Sequence, residues 1–252
     1  MADASGAHAG LTTTRHGAIL VLTLDRPAKK NALTSDMYRG LVDGLDALEA
    51  DDQLRVAVLA GAGSDFCAGN DLFDFLQPQN DTGGARFLPA LFGTTKPLVA
   101  AVQGRAVGVG ATMLLHCDFV YLSPDAQIRF PFVDLGLVPE AGSTLLLPEL
   151  VGARRAADLL LRCAPLDAAS AVEYGIANEV VDADVLLDRA METAAALAAK
   201  PAAALRATRA LLRPDADRLA ARSRAELSEF SSLLRSPEFV AAVEGFASRK
   251  RA

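Results

Sequence analysis

Two apolar patterns alternate through the first two thirds of the chain. Short continuous runs, Ala18 to Leu24, Val56 to Ala60 and Leu98 to Val102, stop at Asp25-Arg26-Pro27, Gly61-Ala62-Gly63 and Gln103-Gly104. Such runs predict strands closed by turns, the last two buried on both faces. The other pattern has a helical period: after Thr34-Ser35-Asp36, Met37, Leu41, Leu45 and Leu48 recur at spacings of three and four, one apolar face behind a capping cluster. Strand, glycine turn and helix recur at roughly forty-residue spacing, a weak repeat. From Ala183 the pattern changes to Ala, Leu and Arg with few strand formers, broken by Pro201, Pro214 and Pro237. Successive helices, each opened or closed by a proline, are predicted there. A boundary near Pro201 divides the chain into a core, residues 1–200, and a helical region, residues 201–252.

Composition narrows the class. With 252 residues, 51% of them apolar, the chain can bury a large core. A net charge of −6 argues against a basic nucleic-acid surface or an anchor on an anionic membrane. The longest apolar-rich stretch, Leu98 to Leu122, contains Gln103, Arg105, His116 and Asp118, which a bilayer would have to bury. Residues 1–11 lack the pattern of a secretory signal. Cys67, Cys117 and Cys163 show neither CxxC spacing nor clustered histidines, so neither a disulfide framework nor a metal site is indicated, and a reducing cytoplasm fits best.

The chemistry concentrates between Lys96 and Val151. Gly104, Gly108 and Gly110 follow a strand and open an apolar helical stretch, where backbone N–H groups can face an anion. After the preceding strand comes Phe66-Cys67-Ala68-Gly69-Asn70-Asp71-Leu72, where Asp71 could cap the next helix and leave the Asn70 N–H facing out. Two such donors would make an oxyanion hole. Taken singly, either cluster is more often an ordinary tight turn. Gly61-Ala62-Gly63 begins a dinucleotide fingerprint but continues with Phe66, and no GxSxG or GxxxxGK[ST] motif is present. His116 reads as a packed histidine, and Asp118, Asp134 and Glu149 as turn or capping residues. Glu140 stands apart as a carboxylate among Leu137, Val138, Pro139 and Ala141.

The pieces LDRPAKKNAL, VLAGAGSDFCAGNDL, KPLVAAVQGRAVGVGATMLLHCDFVYLSPDAQIRF, LGLVPEAGSTLLLPELVG and AVEYGIANEVV, in this order, resemble the crotonase (enoyl-CoA hydratase/isomerase) superfamily from Leu20 to about Val181. The resemblance implies an α/β fold, a crotonase-like spiral of repeated ββα units with a C-terminal helical trimerisation region. It also implies acyl-CoA thioester ligands, with no permanently bound cofactor because the substrate carries the coenzyme A. A homotrimer or a dimer of trimers is implied, as is a place in fatty-acid or related acyl-CoA metabolism. Position by position, the oxyanion donors become the N–H groups of Asn70 and Val109. Lys29, Lys30, Ala68, Asp71, Leu72 and Gly110 fall at the coenzyme A site, with Phe246 and Lys250 joining from the last helix. Phe73, Phe75, Leu88, Leu91 and Phe92 offer apolar surface to an acyl chain, beside a loop at residues 77–85, although core packing is the commoner role for most of them.

One departure from the family carries most of the functional reading. Its hydratases use two glutamates, and those positions read Thr112 and Phe132 here. Glu140, by contrast, falls where several family isomerases carry a single catalytic carboxylate. The resulting expectation is isomerisation of a 3-enoyl-CoA to a 2-enoyl-CoA, with Glu140 as base. A hydratase or other crotonase reaction, and a non-catalytic acyl-CoA-binding protein, stay open as alternatives.

Overall fold

The computed structural model describes residues 8–71, 84–213 and 215–249, with side chains from 86 onward in the second span and up to 245 in the third. Six strands form one sheet in the order β1-β2-β3-β4-β6-β9: β1 (Leu11–His16), β2 (Ile19–Leu24), β3 (Val56–Gly61), β4 (Leu98–Val102), β6 (Phe119–Leu122) and β9 (Glu179–Val180). In this sheet β1 pairs antiparallel with β2, and β2, β3, β4, β6 and β9 are parallel neighbours. A second sheet of β5 (Arg105–Val107), β7 (Gln127–Arg129) and β8 (Leu166–Asp167) stands beside it. The three apolar runs read from sequence are β2, β3 and β4, in adjacent positions.

Strand alternation explains the layers. Leu20, Leu22, Ala57, Leu59, Leu98 and Ala100 point into the main core, shared with α1 (Ser35–Ala50). Ile19, Val21, Val56, Val58, Val99 and Ala101 point to the opposite face, covered by Leu186, Ala190 and Ala194 of α7 (Leu186–Ala198). Both faces are therefore buried, which is why these strands read as continuous apolar runs. Thr34 caps α1 as its sequence predicts, its side chain accepting the Met37 N–H at 3.3 Å. Between β3 and β4 runs α2 (Gly84–Gly93). A short helix, α3 (Val109–Thr112), follows β5, and α4 (Ser143–Val151), α5 (Ala153–Leu161) and α6 (Ala168–Glu173) complete the core.

The terminal helices are α8 (Ala202–Leu212), α9 (Ala216–Leu233) and α10 (Pro237–Arg249). Pro201 sits at the N-cap of α8 and Pro237 opens α10, the punctuation expected of them. All three helices make specific contacts with the core. Arg209 of α8 is buried and holds Asp118, with Nε 2.8 Å and 2.9 Å from the two carboxylate oxygens, and donates to Thr94 O at 2.5 Å. Asp118 also accepts the Leu98 N–H at 2.8 Å, so this pair ties the helix to the entrance of β4. Asp118 thus does more than the turn or capping role its sequence suggests. Glu226 of α9 reaches the start of α4, and Phe239 of α10 is buried beside Gly136.

Candidate active site

The site is assembled where the segments after β3 and β5 run side by side. Cys67 and Ala106 form an isolated parallel bridge, with Cys67 N–H donating to Arg105 O at 2.8 Å and Val107 N–H to Cys67 O at 2.9 Å. Gly69 (φ 91°) and Gly108 (φ 57°) lie in the left-handed region and face each other: a Cβ on Gly108 would stand 4.0 Å from the Gly69 Cα. L-residues rarely adopt this conformation, so glycine is what permits the two turns to reverse here. Asn70 and Val109 are the residues that follow these glycines. Gly69 O accepts from Leu33 N, and Asp71 N donates to Leu33 O, both at 2.8 Å. The alternation of an extended chain directs the intervening Asn70 N–H away from Leu33. Val109 is the first residue of α3, a position whose N–H has no acceptor within the helix.

Gly110, expected at the ligand site, also has a packing role. A Cβ there would lie 2.7 Å from both Cβ and O of Cys67, so its lack of a side chain lets α3 lie against the neighbouring turn. The Asn70 side chain is fixed by Tyr38, whose hydroxyl donates to Oδ1 at 2.6 Å. Burial, reinforced by the nearby Glu140 charge, raises the Tyr38 pKa and keeps this donor protonated.

Glu140 enters from the segment before α4. Thr112, fully buried on α3, donates its hydroxyl to Glu140 Oε1 at 2.5 Å. Burial pushes the Glu140 pKa up to about 7; the Thr112 hydrogen bond opposes the rise and the charge of Glu226 adds to it. A carboxyl titrating there is half ionised near neutrality, suited to taking and returning a proton. Phe132, at the second position where hydratases carry a glutamate, is buried in the main core. His116 is packed as expected: its Nε2 lies 2.8 Å from Ala141 O, its ring stacks near Phe92 at 4.8 Å between centroids, and burial lowers its pKa to about 4.

Of the residues expected at the coenzyme A site, Lys29, Lys30 and Ala68 come together. Lys29 and Lys30 lie on an exposed 3-10 turn, and the Lys30 carbonyl accepts the Ala68 N–H at 2.9 Å. Asp71, expected to cap a following helix, pairs with Arg26 at 3.0 Å, and the segment it would cap lies outside the described residues. Leu72 and Lys250 also lie outside them, as do Phe73, Phe75 and most of the loop at residues 77–85; Phe246 is described only as backbone of α10. Leu88 and Leu91 are buried in the core, the packing role that competes with acyl-chain contact.

Three contributors carry no sequence signal of their own. Arg26 bridges Ala32 O and Asp71, Tyr38 orders Asn70, and Glu226 buries a carboxylate at the turn behind Glu140. The first two belong to stretches read as turn and helix face. Glu226 belongs to a helix whose arginine-rich sequence looks solvated. Among the described residues no cluster of three or more His, Cys, Asp or Glu side chains could hold a metal ion, and no helix is long and apolar enough to cross a membrane.

Paired glycine turns beside an isolated carboxylate of raised pKa form the kind of site that stabilises an enolate next to a base. The family model for enoyl-CoA hydratase/isomerase matches residues 14–252, and the chain belongs to this family, the crotonase superfamily of acyl-CoA enzymes. Its sequence is 38% identical over 193 residues to 1,2-epoxyphenylacetyl-CoA isomerase of Escherichia coli (strain K12), covering 73% of this chain and 74% of the relative. It is 32% identical to enoyl-CoA delta isomerase 2 of Rattus norvegicus, over 96% of this chain and 64% of that protein. It is also 34% identical to 2,3-dehydroadipyl-CoA hydratase of Escherichia coli (strain K12), over 81% of each. Among solved structures, an enoyl-CoA hydratase/isomerase from Pseudoalteromonas atlantica T6c superposes with a TM-score of 0.92 at 39% identity, over 95% of this chain and 97% of that one. The α/β crotonase fold is thus established.

Proposed function

We propose that this enzyme shifts the double bond of a 3-enoyl-CoA to the 2-enoyl position, with Glu140 as its only proton carrier. The observation that carries this reading is the Thr112–Glu140 pair. At one of the two positions where hydration would need a glutamate, the Thr112 hydroxyl instead donates to Glu140. Glu140 removes a proton from C2, the thioester oxygen gains charge as the dienolate forms, and the Asn70 and Val109 N–H groups receive that charge. The protonated carboxyl then delivers the proton to C4. One group suffices because C2 and C4 lie on the same face of a planar dienolate. Glu226, the nearby buried acid, has both carboxylate oxygens engaged by backbone and hydroxyl donors of Gly142 and Thr144. The relatives named as isomerases support the reading, while the named hydratase keeps water addition as its competitor.

Lys29, Lys30, Ala68, Asp71, Leu72, Gly110, Phe246 and Lys250 are proposed to hold the coenzyme A portion, and the assembly to be a trimer or a dimer of trimers. Residues 201–252 would supply the oligomerisation surface, where Leu211 and Leu212 are 87% and 80% exposed. The chemical test is product analysis with matched esters. Formation of 2-enoyl-CoA from 3-enoyl-CoA, with little 3-hydroxyacyl-CoA from either ester, supports isomerisation. Rapid hydration of the 2-enoyl ester would replace this reading with the hydratase one.

A further inference from the structure

The segment that aims Glu140 adopts a conformation its own sequence does not favour. Ala141 has φ 63° and Gly142 φ 69°, consecutive left-handed residues directly after the carboxylate. An alanine in that region is held there by its surroundings. The next helix, α4, begins at Ser143 with Gly142 as its N-cap, a residue that has no side chain with which to satisfy the first N–H groups.

The missing acceptor comes from α9. Glu226 Oε2 accepts the Gly142 N–H at 2.6 Å, and Oε1 accepts both the Thr144 N–H at 2.9 Å and the Thr144 hydroxyl at 2.6 Å. Leu219 of the same helix covers the turn so closely that a Cβ on Gly142 would lie 2.3 Å from its Cδ1. His116 fixes the Ala141 carbonyl from another side, and Ser143 Oγ donates to Glu140 O at 2.6 Å. Successive peptide groups from Glu140 to Thr144 are thus held by separate partners, and Glu226 alone binds two of them.

We propose that Glu226 is a positioning residue for the reaction at Glu140, a carboxylate clamp 84 residues beyond Gly142 that holds the catalytic turn and makes α9 part of the active site. The inference rests on Glu140 being the base. It goes beyond that reading in assigning the geometry of the base to the C-terminal helical region. The charge of the clamp also bears on Glu140, which faces Tyr38 from α1 as well; Arg222 of α9 faces Glu226, and Arg209 and Arg213 face His116, which holds the neighbouring Ala141 carbonyl.

The test compares Glu226→Gln with wild type and with Arg218→Ala, which removes only the surface ion pair from α9 to Glu149. Two readouts are taken: kcat and KM on a 3-enoyl-CoA, and the titration of Glu140 followed by carboxyl carbon NMR, with Glu140→Gln assigning the signal. Glu226→Gln is expected to lower kcat by about ten- to a hundredfold with KM little changed, since small displacements of a reacting group carry penalties of that order. Its Glu140 midpoint should fall below the wild-type value because a nearby negative charge is removed. Arg218→Ala should leave both unchanged. If Glu226→Gln folds poorly, Thr144→Val, which deletes one hydrogen bond to the clamp, should give a smaller loss of the same kind. Wild-type kcat and midpoint in these variants would overturn the proposal, as would losses that only follow the fraction of folded protein. If wild type turns over neither ester, the functional reading fails, and the NMR midpoint still decides whether Glu226 acts on Glu140.

Discussion

At the residue scale, the proposed chemistry turns on how one carboxyl is held between its two protonation states. Thr112 donates to Glu140 and so favours the ionised form, while burial favours the neutral one, and the balance lies at about 7. A base must be deprotonated to act, so kcat/KM on a 3-enoyl-CoA should fall as pH drops through about 7. Thr112→Val removes the hydrogen bond that lowers the pKa. The acid limb of the pH profile should therefore move to higher pH, and an unmoved limb would show that the hydrogen bond does not tune the base. The same shift has a consequence for stability. The folded-state pKa of Glu140 lies above its ordinary value of 4.5, so its contribution is most favourable below pH 4.5 and is lost as pH rises through about 7. Glu140→Gln should accordingly be more stable than wild type at pH 8, by on the order of 1 to 3 kcal/mol, measured as a higher urea midpoint. Equal midpoints at that pH would mean that the carboxyl is better solvated than its surroundings indicate.

At the scale of elements, the site depends on close approach of segments that are distant in sequence. Gly110→Ala would place a methyl group 2.7 Å from the Cys67 Cβ and carbonyl oxygen, prising α3 from the turn that carries Asn70. A loss of about 1 to 3 kcal/mol in stability is expected, with a drop in kcat, because overpacking here separates the two proposed oxyanion donors. Retention of wild-type stability and kcat would show that the two turns can part without consequence. Much of this arrangement was legible in the chain. The runs now seen as β2, β3 and β4 announced themselves because both of their faces are buried, and the Thr34 cap and the 3.6-residue periodicity located α1. The isolation of Glu140 among apolar neighbours marked it as unusual before any geometry was known. Tertiary partners were not legible. Nothing around Glu226 distinguishes it from the exposed acids of an arginine-rich helix, and the Tyr38 hydroxyl is hidden in an amphipathic face. Asp118 looked like a turn residue because Arg209 lies 91 residues away. Local pattern reports burial and period, whereas such pairings exist only once the chain has closed on itself.

At the scale of the whole molecule, the C-terminal helices are joined to the core by polar contacts at several points. In the Arg209–Asp118 pair the arginine is buried and the aspartate half-buried, and removing one partner leaves the other charge without its main counter-ion. Arg209→Met should lower stability by roughly 2 to 4 kcal/mol, read from urea denaturation, with Arg213 at 3.6 Å from Asp118 limiting the loss. A change below about 0.5 kcal/mol would place the pair among ordinary surface bridges. Through Glu226 the region after Pro201 has a proposed part in holding the turn beside Glu140, as well as its proposed part in assembly. The central claim, a single carboxylate that moves the proton, is tested most directly by the rate at which Glu140→Gln converts a 3-enoyl-CoA to its conjugated isomer. The account predicts that wild type forms the conjugated ester and that the variant, still folded and with KM little changed, loses about 10² to 10⁴ in kcat. A variant that retains wild-type kcat would contradict it.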